Sequence, residues 1–255
     1  MSTLLAEDDA LYRQHVHSLL TQHLPEFGPV YMASNGREAL ELYRQHHPNF
    51  VLMDIRMPEM TGIEVARQVW SECPSTRIIF WSHFADEVYV RELHKIVPPQ
   101  TVYGYLLKNC TDEKLVSAIQ AVVQDEQCVI DREVRGVDSR SQNKITGLSD
   151  AEYEVLIDIA LGLTDQAIAA RRFLSRRGVT NRLRNLYDKL VRNLYDKLEV
   201  SNDQIESDEW GTTFSLRARA IRLAFKRGLI NAQLLDEEEV HLDHWLSRYR
   251  LDPLD

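Results

Sequence analysis

The strongest constraint on this chain is the alternation of two hydrophobic periodicities over its first ~125 residues. Short apolar runs at Thr3–Ala6, Val30–Ala33, Phe50–Met53, Arg77–Ser82 and Val102–Leu107 have the length and continuity of strands buried on both faces. Helical patterns follow them at Leu11–Leu24, Gly36–His46, Gly62–Trp70, Glu87–Ile96 and Asp112–Val123. Pro25, Asn35-Gly36, Pro48, Pro58, Pro74 and Pro98-Pro99 all fall between elements. Five strand–helix units in succession predict an α/β doubly wound, five-stranded parallel sheet with helices on both faces.

Beyond that region only helical signals continue. The stretch 126–147, with Asp131-Arg132-Glu133 and Ser139-Arg140-Ser141-Gln142-Asn143, reads as a polar linker. From Leu148 onward an all-α domain is expected. Ser149 and Glu152 have capping-box spacing, and Val155, Leu156, Ile159, Ala160 and Leu163 follow at helical spacing. Thr164 or Asp165 can cap a short second helix, and Ser175 a third whose stripe is Val179, Leu183, Leu186 and Leu190. Three helices with short turns, the last Arg-rich, suggest a helix-turn-helix over 148–235. The heptapeptide RNLYDKL at Arg184–Leu190 recurs at Arg192–Leu198, and the reading favoured is one long helix to about Glu199, with a looped-out second copy as the alternative. The tail, 236–255, is acidic and amphipathic, with Leu242, Trp245, Leu246 and Tyr249 on one face. It can dock on its own domain, form a dimer contact or cover the basic helix.

A net charge of −9 over 255 residues argues against a surface coated in nucleic acid, but not against one basic face. Three cysteines without C-x-x-C spacing fit a reducing compartment and give no metal or disulfide framework. Without a long apolar run or a leader-like N-terminus, no membrane association is expected and the cytoplasm is the expected compartment.

In an open parallel sheet, functional residues collect beyond the carboxyl ends of the strands. Those ends supply Glu7-Asp8-Asp9, Asp54, Ser82 and Lys108. Carboxylates converging on one spot repel unless a hard dication neutralises them, and Mg²⁺ suits carboxylates, a carbonyl and waters. A hydroxyl and an ammonium beside it can hold the oxygens of a phosphoryl group placed on one carboxylate. The motifs LLAEDD at Leu4–Asp9, VLMDIRMPEMTG at Val51–Gly62, FWS at Phe80–Ser82 and YGYLLK at Tyr103–Lys108 lie in this order at strand ends. On these motifs, residues 1–125 resemble response-regulator receiver domains, which have a flavodoxin-like fold. The resemblance implies that Asp54 accepts phosphate from a partner histidine kinase. It puts Glu7 and Asp8 in the acidic pocket, with Asp8, Asp54 and the Arg56 carbonyl positioned for Mg²⁺. It further implies that Ser82 and Lys108 contact the phosphoryl oxygens and that Tyr105 is the aromatic that changes rotamer. His83 after Ser82, Asn109 after Lys108 and the long stretch Leu93–Thr101 depart from the family pattern.

From Arg171 to Leu198 nine Lys/Arg stand against Asp188 and Asp196, a local charge of +7. On the third helix of a helix-turn-helix such residues suit DNA phosphates. The segments LSDAEYEVL at Leu148–Leu156, GLTDQAIAARRFLSRRGVTNRLRNLYDKL at Gly162–Leu190 and RARAIRLAFKRGLI at Arg217–Ile230 resemble the NarL/LuxR-type DNA-binding domain. That resemblance implies that Thr180, Asn181 and Arg184 face base edges of double-stranded DNA, that Arg176, Arg177 and Arg182 engage phosphates or flanking bases, and that the active form is a homodimer. Arg172 stands where that family buries a leucine, and Gly178 where threonine is common. The expected function is therefore a non-enzymatic, phosphorylation-controlled transcription regulator. The competing expectation is a protein-interaction scaffold whose helix-turn-helix no longer reads DNA.

Overall fold

The computed structural model describes residues 1–83, 85–142, 147–192 and 215–249. The chain divides into two compact units, Met1–Ala85 with Tyr89–Asp138, and Asp86–Val88 with Ser139–Asp255.

The first unit is a parallel sheet in which β1 (Thr3–Ala6), β2 (Val30–Ala33), β3 (Phe50–Met53), β4 (Arg77–Ser82), β5 (Tyr103–Leu107) and β6 (Val129–Ile130) run in the order β2-β1-β3-β4-β5-β6. Its helices are α1 (Ala10–His23), α2 (Gly36–His46), α3 (Gly62–Glu72), α4 (Glu87–Ile96) from Tyr89 on, α5 (Asp112–Val123) and α6 (Arg132–Gln142) as far as Asp138. The five expected strands are present: β1, β3, β4 and β5 are largely buried, whereas β2, at the sheet edge, leaves Met32 exposed and so departs from the expectation of burial on both faces. Leu5, Phe50, Leu52, Ile79 and Leu106 pack with Val16, Leu19 and Leu20 of α1 and Leu115, Ile119 and Val122 of α5. Helix starts are set locally: Asp9 caps α1, Asn35 caps α2, Thr111 caps α5, and Thr61 with Glu64 forms a capping box at α3.

The expected linker at 126–147 needs correction. Its first part adds a sixth strand to the edge of β5 and then the helix α6, so the first unit extends past residue 125 to Asp138. Two apolar residues suffice for the strand because Gly104, opposite Val129, has no side chain in the way. A Cβ there would lie 2.9 Å from Ile79 Cγ1 and 3.3 Å from the Val129 carbonyl oxygen.

The second unit contains α7 (Asp150–Ala160), α8 (Asp165–Arg171), α9 (Arg176–Tyr187), α10 (Leu216–Lys226) and α11 (Ala232–Tyr249). Caps fall where the sequence places them: Ser149 with Glu152 forms a capping box, Thr164 starts α8, and Ser175 accepts from the Gly178 N–H to start α9. Val179, Leu183, Leu186 and Leu190 are all buried in one core with Val155, Leu156, Ile159 and Ile168. Two expectations change. The α-helix of the first RNLYDKL copy ends at Tyr187 and widens into a π-helical turn at Asp188–Arg192, with the Asp188 N–H bonded to the carbonyls of Arg184 and Asn185. Residues 193–198 of the second copy, the polar stretch 201–213 and residues 250–255 lie outside the described residues. The boundary at 235/236 also disappears, because α11 runs across it. Leu242 is buried in the core of the second unit, and Leu234, Leu235, Trp245 and Leu246 pack against it, so the tail helix docks on its own unit.

Candidate functional site

At the carboxyl ends of β1, β3, β4 and β5 lies a cleft of about 330 Å³ lined by Glu7, Asp8, Asp9, Asp54, Arg56, Ser82, His83 and Lys108. Parallel register puts them together: Ala6 pairs with Met53, Met53 with Phe80, and Ser82 with Leu107, so the next residues emerge side by side. The β3–α3 loop closes one wall because residue 62 is glycine. A Cβ on Gly62 would lie 2.1 Å from the Asp54 carbonyl oxygen, and the Gly62 N–H bonds to the Ile55 carbonyl at 2.8 Å.

Asp54 is buried, and its two oxygens face different partners. Oδ1 accepts from the Ile55 N–H at 2.6 Å and the Arg56 N–H at 3.3 Å, while Oδ2 accepts from Lys108 Nζ at 2.7 Å. The same ammonium donates to Glu7 Oε1 at 2.8 Å. Burial pushes the Lys108 pKa down, but the facing Asp54 and Glu7 carboxylates outweigh it and hold the ammonium above its ordinary value. Burial dominates at Glu7, whose carboxyl is raised to about 7 although the Lys108 hydrogen bond works against the rise. Ser82 and Tyr105 are both buried, with the Tyr105 ring against Phe80 at 6.4 Å.

Three oxygens, one each from Glu7, Asp8 and Asp54, lie within 4.8 Å of one another. Both Glu7 oxygens lie against the Lys108 ammonium, Oε1 at 2.8 Å and Oε2 at 2.7 Å. An all-oxygen, anionic donor set gathered this closely fits a hard divalent cation. Asp9 serves the helix rather than the cleft. Its side chain accepts the N–H groups of Tyr12 and Leu11, which hold its carboxyl below the usual range.

Two residues of this site, Arg13 and Tyr12, carry no strand-end signal. The Arg13 guanidinium donates to the carbonyls of Glu7 at 2.5 Å and Asp8 at 3.2 Å, fixing the acidic loop. The Lys108 ammonium lies 5.1 Å from the Tyr12 ring centre and 5.4 Å from that of Trp81, so two aromatic faces share its charge. Arg13 and Tyr12 follow the Asp9 cap by one helical turn, the one signal that could have drawn them in.

In the second unit Arg176, Arg177, Thr180, Asn181 and Arg184 are exposed on α9, Arg182 is half-buried, and the opposite face holds the core. Arg171 and Arg172, counted in the same basic run, turn inward instead. Both bond to Asp158 of α7, whose side chain is 0% exposed, at 2.8 Å from Arg171 Nη1 and 2.8 Å from Arg172 Nε.

The receiver expectation meets independent support in a match to the family model described as response regulator receiver domain, over residues 3–120. The uncharacterized transcriptional regulatory protein YxjL of Bacillus subtilis (strain 168) is 30% identical over 166 residues, 62% of this chain and 74% of YxjL. The chain belongs to the response-regulator family. The transcriptional regulatory protein LnrK of the same organism is 27% identical over 202 residues, covering 74% of this regulator and 90% of LnrK. A solved structure of the two-component response regulator RcsB in a DNA complex matches with a TM-score of 0.56 at 17% identity, over 88% of this chain and 96% of that one, which shows a shared fold. The regulator therefore carries a flavodoxin-like receiver followed by a helical unit. Among its described residues no helix is long and apolar enough to cross a membrane.

Proposed function

We propose that a partner histidine kinase phosphorylates this response regulator on Asp54, and that the phosphorylated chain forms a homodimer that binds specific double-stranded DNA to regulate transcription in the cytoplasm. The observation that carries this reading is the convergence of Asp54, Lys108 and the acidic loop in one cleft, on a chain whose second unit exposes an Arg/Asn face on a capped helix. Relatives such as LnrK and YxjL bear the name transcriptional regulatory protein, which supports the same reading.

In the transfer step an Asp54 carboxylate oxygen attacks phosphorus, the bond from phosphorus to the donor imidazole nitrogen breaks, and the released nitrogen takes up a proton. Lys108, already hydrogen-bonded to Asp54, follows the charge onto the phosphoryl oxygens, and the Ser82 hydroxyl donates to another of them. Mg²⁺, held by Asp8, Asp54 and the Arg56 carbonyl beside Glu7, would supply positive charge to those oxygens. Tyr105 acts as the switch aromatic that reports the occupied site to the α4–β5 surface. On the second unit, from Leu148 through α11, Thr180, Asn181 and Arg184 read base edges, and Arg176, Arg177 and Arg182 hold phosphates or flanking bases. The scaffold alternative leaned on Arg172, Gly178 and the repeat, and the Asp158 contact accounts for the first of these.

The test begins with acetyl phosphate and Mg²⁺. The wild type gains the mass of one phosphoryl group and Asp54→Asn gains none; uptake by Asp54→Asn at that site sinks the assignment. Selection from a random duplex pool then returns a preferred sequence, and the absence of any preference with or without phosphorylation sinks the DNA reading.

A further inference from the structure

The short helix α8 is held by charges at both ends. At its start, Asp165 pairs with Arg217 of α10 at 3.1 Å, and Arg217 Nη2 also donates to the Leu163 carbonyl just ahead of it. At its end, Arg171 and Arg172 converge on Asp158 in α7. Arg172 Nε reaches Oδ2 at 2.8 Å and Nη2 reaches Oδ1 at 3.1 Å, a two-point grip, while Arg171 Nη1 shares Oδ1 at 2.8 Å. Arg172 also lies 3.4 Å from Glu154, and the second arm of Arg171 bonds to Glu238 of α11 at 3.0 Å. The Arg171 and Asp158 side chains are 9% and 0% exposed.

An aspartate without exposure, among Val155, Leu156 and Ile159, is costly unless it is fully paired, and here two guanidinium groups pair it. The position that the NarL/LuxR resemblance reserves for a buried leucine thus holds a charge with its counter-charge supplied in the same core. Such a contact is directional. An apolar pair tolerates sliding, whereas a two-point Arg–carboxylate grip fixes distance and angle together. The chain passes directly from this grip into the turn to α9, where Phe173 takes the left-handed conformation at φ 53° and the Leu174 N–H bonds to the Ala169 carbonyl at 2.8 Å. The orientation of the exposed face of α9 is therefore tied to the Asp158 grip through two residues of turn.

We propose that Asp158 is a positioning residue for DNA recognition: with Arg171 and Arg172 it forms a polar lock that sets the α8–α9 geometry, and Glu238 makes α11 part of that lock. The inference rests on the DNA-binding reading and removes two of nine basic residues from its phosphate contacts.

The test uses full-length protein, a duplex selected by the wild type from a random pool, and a scrambled duplex of the same length. Asp158→Asn loses at least tenfold in affinity for the selected duplex and little for the scrambled one, because specificity needs the geometry while phosphate attraction does not. The apolar double variant Asp158→Leu/Arg172→Leu recovers the folding stability lost in Asp158→Asn and in Arg172→Leu but not the selectivity, so it covers the case in which Asp158→Asn is poorly folded, and full selectivity in the folded double variant overturns the lock. In Arg172→Leu the slope of log affinity against log salt stays at the wild-type value. A slope smaller by about one makes Arg172 a phosphate contact and overturns the lock, as does unchanged selectivity in a folded Asp158→Asn. If the wild type selects no duplex, the DNA reading itself fails and the positioning role goes with it. Selective binding by the wild type with indifferent variants removes the lock alone.

Discussion

Glu7 shows at the scale of one residue how the acidic cleft stores its charge. Burial raises its carboxyl to about 7, against an ordinary value of 4.5. The folded state therefore binds the proton more tightly than the unfolded chain. The stability this contributes is full below pH 4.5 and is lost as pH rises through about 7. A cation that binds the ionised cleft must displace that proton, so Mg²⁺ stabilises more at pH 8 than at pH 6. Thermal melts with and without Mg²⁺ check this: the shift grows with pH in the wild type and is flat in Glu7→Gln. Equal growth in Glu7→Gln assigns the proton to another group. Gly62 makes a second residue-scale case, since its role is the absence of an atom. Gly62→Ala forces the β3–α3 loop off the Asp54 carbonyl, which costs about 1–3 kcal/mol on unfolding in denaturant and slows phosphoryl uptake from acetyl phosphate. Unchanged uptake would mean the loop adapts without moving Asp54.

Elements were legible in proportion to how local their causes are. All five strands and the caps at Ser149 and Ser175 come from apolar runs, breakers and a hydroxyl before a helix, which are neighbours in the chain. The cleft was legible because the strand ends carry its residues and parallel register assembles them. Asp131 and Asp158 were not, for one reason: each is polar by composition and structural only through a distant partner. Asp131 accepts the Leu107 N–H at 3.2 Å and the Lys114 ammonium at 2.8 Å, while its own N–H bonds to the Tyr105 carbonyl at 2.9 Å. A charged run can look like linker and still continue the sheet when one residue satisfies the β5 edge. Burial pushes the Asp131 carboxyl up, but Lys114 and the Leu107 N–H outweigh it and hold it below the ordinary range. Its stabilising share is present above the ordinary aspartate pKa and lost as pH falls through the folded value. Asp131→Ala consequently costs about 1–2 kcal/mol at neutral pH, less as the wild-type carboxylate is protonated, and speeds hydrogen exchange at 104–107 and 129–130. Unaltered exchange at those amides would show that β6 holds without its anchor.

At the scale of the whole molecule, a chain of charge −9 keeps its acidic chemistry in one unit and its exposed basic face in another. Phosphorylation adds negative charge to the first unit, so it cannot raise DNA affinity by direct attraction. Its effect has to come through a population of chains competent to bind together. Dimerisation supplies such an effect without any new protein–DNA contact: once one α9 is bound, the second faces its half-site at an effective concentration far above that in solution. Two duplexes separate this from a change within one chain. With acetyl phosphate and Mg²⁺, affinity for a duplex bearing two copies of the selected half-site rises at least tenfold, while affinity for a one-copy duplex does not change. Asp54→Asn shows no gain on either duplex. Asn181→Ala lowers affinity for both duplexes by about 1–3 kcal/mol per half-site engaged, without altering the salt slope, because a base-edge contact releases no counterion. An equal gain on the one-copy duplex would place the phosphorylation effect inside a single chain and exclude dimerisation as its carrier.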